Sequence, residues 1–246
     1  VTGGGRGLGR AIAEALTREG VAVALAARNH PQLEEAARAL RAAGAETMAL
    51  ALDVGDPDAV TLAVNAVGAT LGPIDVLVNN AGIAESASLA RTDLDLWDRH
   101  FRTNATGPYL LARAVLPGML ERRWGRVINI ASIAGLVGTP YVTAYTASKH
   151  ALVGFTRALA AEVGGTGVTV NAICPGFAAT DLVWNSARTI VAKTGKTYAE
   201  AVEALARMNP GRRLVQPEEV AAAAVKLLHD DRSGDAIVID GTGEIP

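Results

Sequence analysis

Two stretches of this sequence carry residue types at spacings that suit chemistry. The first is Thr2-Gly3-Gly4-Gly5-Arg6-Gly7-Leu8-Gly9, which runs into a helical pattern over residues 10–18. Glycines permit a tight turn and let the backbone approach a phosphate closely. A helix N-terminus behind the turn adds unpaired N–H groups and a partial positive charge. The expected ligand is a dinucleotide whose pyrophosphate sits on that turn; a turn that only joins two packed elements is the plainer alternative. The second stretch is Tyr145-Thr146-Ala147-Ser148-Lys149. Its four-residue step places a phenol and an ammonium on one helical face, one turn apart. A phenol titrates near ~10 when unperturbed, and a neighbouring positive charge favours phenolate, so the pair could move a proton. A packed aromatic beside a solvated lysine is the bland alternative.

The elements that must position these groups follow from apolar periodicity. Strand-like runs lie at 21–27, 47–52, 74–78, 126–131, 168–173 and 236–239. Helical patterns lie at 31–43, 57–71, 94–122, 145–163 and 217–229, the long one expected to break near Gly107-Pro108. Continuous apolar strands joined by helices imply a parallel sheet covered on both faces, and right-handed crossovers make it a doubly wound α/β fold. Ligands in such sheets bind beyond the carboxyl ends of the strands. Ser132 stands at one such end. Asn104 falls inside a helical pattern, where its amide competes for backbone hydrogen bonds, so a local distortion with a task is expected there. The stretch 177–216 reads as a long irregular insert at the edge where a substrate would be covered. No linker or repeat appears, so residues 1–246 are read as one domain. The chain opens on Val1 without a methionine, so most of the first, central strand is expected before it, and a targeting segment there would be invisible.

Composition excludes several classes. The 246 residues carry 23 basic and 25 acidic side chains, a formal net charge of −2. That balance argues against a nucleic-acid partner. Charges interrupt every apolar stretch well short of ~18 residues, so no membrane-spanning helix is expected. One cysteine, Cys174, rules out an internal disulfide framework and any multi-cysteine metal site; it is read as buried and inert. His30, His100, His150 and His229 lack metal-ligand spacing, and no metal is expected. With a soluble cofactor and no disulfide, a cytoplasmic location is expected.

The cofactor can be narrowed. An NAD site usually places an acid ~20 residues after the glycine turn to hold the ribose 2′-hydroxyl. No carboxylate occurs between Val21 and Gln32, and Arg28 stands there instead. Its planar fork suits a 2′-phosphate, and Arg6 could close on the same group from the other side. The expectation is NADP(H) rather than NAD(H), against the bland reading of two solvated arginines.

The whole motif set resembles the short-chain dehydrogenase/reductase family. The resemblance is carried by Thr2-Gly3-x-x-x-Gly7-x-Gly9, Asp53-Val54, Asn79-Asn80-Ala81-Gly82, Asn104, Ser132, Tyr145-x-x-x-Lys149 and Pro175-Gly176 with Thr180. It implies a seven-stranded Rossmann-type parallel sheet and hydride transfer between a nicotinamide and a carbonyl or secondary alcohol. Under it, Tyr145 is the general acid in reduction and the base in oxidation. Lys149 lowers the phenol and holds the nicotinamide ribose. Ser132 bonds the substrate oxygen. Asn104 holds a water that links Lys149 to solvent. Gly3, Gly5, Arg6, Gly7 and Leu8 form the pyrophosphate turn. Asp53 and Val54 meet the adenine. Asn80, Ala81 and Gly82 pass the adenosine ribose, with Asn79 stabilising the sheet. Pro175, Gly176 and Thr180 hold the carboxamide.

Substrate identity rests on less. The stretches 171–177 and 211–220 resemble 3-oxoacyl-thioester (acyl carrier protein or coenzyme A) reductases and polyketide ketoreductases, with some cyclic hydroxyacyl dehydrogenases similar. Lys193, Lys196, Arg207, Arg212 and Arg213 could attract the phosphates of such a handle. Leu136, Val137, Tyr141, Val142, Leu182, Val183 and Trp184 are expected to line an apolar pocket. A dehydrogenase running toward ketone and a non-catalytic NADP sensor are the alternatives. By resemblance, residues 94–122 and 145–163 pair with their copies in a homotetramer.

Overall fold

The structure is a computed structural model and describes residues 1–245. Its strands are β1 (Val23–Ala27), β2 (Thr47–Ala51), β3 (Val76–Asn79), β4 (Gly125–Ile130), β5 (Val168–Pro175) and β6 (Ala236–Ile239). Its helices are α1 (Gly7–Arg18), α2 (His30–Ala42), α3 (Pro57–Leu71), α4 (Leu94–Phe101), α5 (Gly107–Arg122), α6 (Thr143–Glu162), α7 (Asp181–Thr194), α8 (Tyr198–Ala206) and α9 (Pro217–His229). All strand pairs are parallel, β1 with β2 and β3-β4-β5-β6 in a row. Residues 1–3 stitch the two groups together. Ala26 N–H donates to Val1 O at 3.0 Å, Gly3 N–H to Ala26 O at 2.7 Å, and Thr2 N–H to Val78 O at 3.0 Å. The seventh position of the sheet is therefore held by these residues alone, between β1 and β3. Strand order reverses at that point, which is where such sheets open a crevice for a dinucleotide.

Packing explains the order. Every residue of β4 and β5 is buried, as both-face coverage requires. On one face α1 packs against α9, bringing Ile12, Leu16, Val220 and Leu227 into one cluster with Leu25 and Ile173. On the other, Leu111, Val115 and Met119 of α5 join Leu159 of α6 over Val127 and Val170. Asp56 caps α3 by accepting from Asp58 and Ala59 N–H, and Gly72 at φ +86° ends it.

Two expectations are corrected. The helix over 94–122 does not break at Gly107-Pro108. It passes through one π turn, Arg102–Thr106, and continues as α5. Pro108 lies in the first turn of α5, where the hydrogen-bond register is already changing and its lack of an N–H matters least. The stretch 177–216 is not irregular either, because it holds α7 and α8. Gly195 at φ +70° ends the first, and a Thr197/Glu200 capping box starts the second. The two helices pack on each other around Val183, Ala187, Ala201, Leu205 and Leu214. No helix among the described residues is long and apolar enough to cross a membrane.

Candidate active site

The chemistry-bearing side chains meet at the carboxyl end of β4. The chain leaves β4 extended through Ser132, whose Oγ accepts from Ala134 N–H at 3.1 Å. Across from it, α6 presents Tyr145 and Lys149 one turn apart. Lys149 is buried, and its Nζ donates to Ile130 O, the last carbonyl of β4, at 2.7 Å. The same Nζ lies 5.9 Å from the centre of the Tyr145 ring. Burial brings the Lys149 ammonium down to about 8. Tyr145 keeps some accessible surface. Its hydroxyl is nonetheless deep, and burial raises the phenol above its ordinary value; the Ser132 hydroxyl beside it lowers it only in part, and Cys174 adds a small upward push. The phenol therefore carries its proton at neutral pH, the state a general acid needs. Cys174 is buried and pushed up to about 11, chiefly by desolvation, which leaves it a thiol.

Asn104 sits in the π turn and is wholly buried. Its Nδ2 donates to Ile83 O at 2.9 Å and to Ser148 Oγ at 3.0 Å, while its Oδ1 accepts from Ile83 N–H at 2.9 Å. Ser148 passes its own hydrogen to Tyr145 O at 2.8 Å. The side chain thus ties the segment after β3 to the helix that bears Tyr145. Gly82 completes the arrangement. A Cβ placed there would lie 3.3 Å from Asn104 Oδ1 and 3.6 Å from Lys149 Nζ, so its absence leaves open the space between them.

The glycine turn is built as a cradle. Gly3 and Gly7 have φ of +63° and +52°, conformations that favour glycine. A Cβ on Gly9 would stand 2.3 Å from Gly3 O, so α1 packs directly on the turn. Thr2 Oγ1 accepts from Asn80 and Ala81 N–H, both at 3.0 Å, and Asn80 Nδ2 donates to Thr2 O at 2.9 Å. Asn80 thus braces the turn. Asn79, by contrast, points into the sheet and donates to Asn129 Oδ1 at 2.9 Å. The first turn of α1 has neither a side-chain cap nor an acid, which keeps its N–H groups free for an anion. Gly5 backs onto Gln32, and Leu8 turns its side chain into the core. These donors and this close-approach geometry fit a dinucleotide pyrophosphate. Asp53 accepts from Gly55 N–H at 3.0 Å, and Val54 is buried under Gly107. At the other end, Gly176 N–H donates to Ile239 O at 2.9 Å, which fixes the Pro175-Gly176 turn, and Thr180 begins α7 in contact range of Gly7.

The peripheral residues divide. Arg28 is exposed just beyond β1 and has no side-chain partner among the described residues. Arg6 does not join it but pairs with Asp181 at 2.6 Å. Val137, Tyr141 and Leu182 are 52%, 69% and 42% exposed, so they can meet a ligand. Leu136 leans on the cluster of Leu152 and Cys174, and Val142 bridges to Ala87. Val183 is buried inside the α7–α8 cluster and Trp184 packs against it, so these two support the insert. Arg207 is engaged by Glu203 at 2.5 Å and Arg213 by Glu219 at 2.6 Å, leaving Lys193, Lys196 and Arg212 without an ion pair among the described residues. Sequence reasoning missed Asn209. It is buried, accepts from Phe177 N–H at 2.9 Å, donates to Phe177 O and Arg213 O, and leaves no room for a Cβ on Gly176. A lone Asn-Pro step in a stretch read as irregular gives no sign of this role.

Comparison with known proteins agrees with the geometry. The family description "short chain dehydrogenase" matches residues 1–190. The chain is 39% identical to 2-(S)-hydroxypropyl-CoM dehydrogenase 3 of Xanthobacter autotrophicus, over 98% of this chain and 94% of that one. It is 40% identical to the 3-oxoacyl-[acyl-carrier-protein] reductase FabG of Pseudomonas aeruginosa, over 94% and 89%. A crystal structure of an actinorhodin polyketide ketoreductase variant with NADPH superposes with a TM-score of 0.94, at 37% identity, over 99% of this chain and 96% of that one. Fold, motif set and site geometry converge: the chain belongs to the short-chain dehydrogenase family.

Proposed function

We propose that this protein reduces the ketone of a 3-oxoacyl thioester, on coenzyme A or a carrier protein, with NADPH. One observation carries the reading: the Tyr145 phenol lies beside the Ser132 hydroxyl, with the buried Lys149 ammonium 5.9 Å from its ring centre and bonded to the last carbonyl of β4. Gly3, Gly5, Gly7, Leu8 and the start of α1 would hold the pyrophosphate, Asp53, Val54 and 80–82 the adenosine, and Pro175, Gly176 and Thr180 the carboxamide. A bound nicotinamide would supply the hydride for the carbonyl carbon. Tyr145 gives its proton to the carbonyl oxygen, so the product is a neutral secondary alcohol. Ser132 aims that oxygen and stabilises charge on it. Lys149 would hold the ribose hydroxyls, and its positive charge would favour the phenolate that Tyr145 becomes. A proton returns to Tyr145 through Lys149 and a water beside Asn104, in the space that Gly82 leaves open. Gly82→Ala would crowd that space, and kcat is expected to fall roughly tenfold. Stopped-flow turnover at fixed pH checks this, together with an unchanged melting temperature.

Cofactor choice rests on Arg28, the cation beyond β1 where an acid would be required for NAD. Arg28→Ala is expected to weaken NADPH binding about tenfold and NADH binding hardly at all, the size of one exposed charge-assisted contact. Fluorescence titration with both nucleotides measures it. Oxidation of a secondary alcohol is the second reading, favoured by the identity to the hydroxypropyl-CoM dehydrogenase across nearly the whole chain. Turnover of acetoacetyl-CoA with NADPH, beside 2-(S)-hydroxypropyl-CoM with NADP⁺ or NAD⁺, separates the two. Activity on the second pair alone ends the reductase reading. The part-exposed Tyr109 of α5, edge-on to Phe155 of α6 at 6.3 Å, supports self-association through that face into a tetramer. Sedimentation at one monomer mass would refute it. A cytoplasmic site of action accords with the single buried thiol.

A further inference from the structure

We propose that His100 is a positioning residue for Tyr145, a role that rests on reading Tyr145 as the acid. His100 lies in α4, four residues before Asn104, and is 0% exposed. Its Nδ1 is 2.7 Å from Leu96 O. A carbonyl only accepts, so Nδ1 carries the hydrogen. Its Nε2 is 3.1 Å from Glu85 N, whose hydrogen it accepts. Both ring nitrogens are thus engaged, which fixes the tautomer and the orientation of the ring. The ring stands edge-on to the Tyr145 ring, centroids 6.4 Å apart and planes at 74°.

An imidazole is a costly group to bury, and an apolar side chain would fill this helix face without a polar debt. What the imidazole adds is the tie to Glu85. That tie is one of three on alternate residues of the segment leaving β3. Ile83 is held by Asn104, Glu85 by His100, and Ala87 N–H by Tyr141 O at 2.8 Å. The segment so pinned runs past Gly82, the glycine beside Lys149 Nζ. Tyr145 is then bracketed by Lys149 at 5.9 Å from its ring centre and His100 at 6.4 Å. His100 sets the tilt of the phenol and, through Glu85, the course of the segment that leaves β3; it touches no reacting atom.

Three variants test this. His100→Leu removes ring and acceptor, His100→Phe keeps a ring without the acceptor, and His100→Gln keeps an acceptor toward Glu85. Ser132 and Cys174, which act on the phenol, and Lys149, 5.9 Å from its ring centre, are unaltered in all of them. In the NADPH and acetoacetyl-CoA assay, kcat should fall about tenfold or more in His100→Leu, with NADPH affinity and melting temperature near wild type. His100→Gln should recover most of that loss, and His100→Phe should fall between. A kcat that tracks the melting temperature, or a glutamine variant no better than leucine, overturns the proposal. If leucine does not fold, glutamine against phenylalanine gives the same contrast. If the wild type itself moves no hydride, the reductase reading fails separately. Titration of the Tyr145 phenol, by ultraviolet difference against Tyr145→Phe, then decides for His100. A curve displaced in His100→Phe supports the proposal, and a superimposable one overturns it.

Discussion

Tyr145→Phe is expected to reduce turnover by about 10²–10⁴-fold, the usual contribution of a placed general acid, while NADPH binds as before. The substitution removes one oxygen and leaves the ring that packs against Lys149 and His100, so the fold has no reason to change. Without the hydroxyl, the carbonyl oxygen has no proton donor at the end of β4. Ser132 can still bond that oxygen, which accounts for a residual rate above background. A protein that only senses the nucleotide would behave identically with and without the hydroxyl. Steady-state kcat beside a fluorescence titration with NADPH therefore separates catalyst from sensor in one comparison.

Lys149→Met is expected to lower kcat/KM about 10²–10³-fold, the size of two charge-assisted hydrogen bonds, and to change the pH profile. Burial holds the ammonium at about 8, whereas the Tyr145 phenol is raised. Lys149 is thus the first of the two to lose its proton as pH rises. In the wild type, kcat/KM for reduction should be level below about 8 and fall above it. In Lys149→Met that limb should vanish. Stability moves the other way. An unfolded lysine keeps its proton to about 10.4, so between about 8 and about 10.4 the unfolded chain binds more protons than the folded one, and this residue's contribution to stability rises with pH across that window. A wild-type profile flat from neutral pH to 10 would show that Lys149 is not charged as described.

Much of this site is legible in the sequence, and the reason is local. The glycine turn needs positive φ at Gly3 and Gly7, which few residues supply, so its sequence announces it. Tyr145 and Lys149 share a face because of helical pitch alone. Asn104 stood out as a misfit inside a helix, and the π turn around it is that misfit made structural. The helical character of 177–216 was lost because α7 and α8 bury their apolar residues mainly on each other, which interrupts the pattern that a sheet-facing helix would show. Local spacing puts Arg6 beside Arg28; its pairing with Asp181 depends on where a distant helix begins, which no local spacing encodes. His100 and Asn209 were invisible for the same reason. Each is defined by a backbone group brought to it by the fold, Glu85 in one case and Phe177 in the other.

The most direct measurement follows the hydride itself. NADPH carrying deuterium at both hydrogen positions of the reactive ring carbon is incubated with acetoacetyl-CoA and the protein, and the product is examined by mass spectrometry. Deuterium on the former carbonyl carbon, at a rate lost in Tyr145→Phe, is the expected result. Product without deuterium, or label transfer undiminished in Tyr145→Phe, would contradict it.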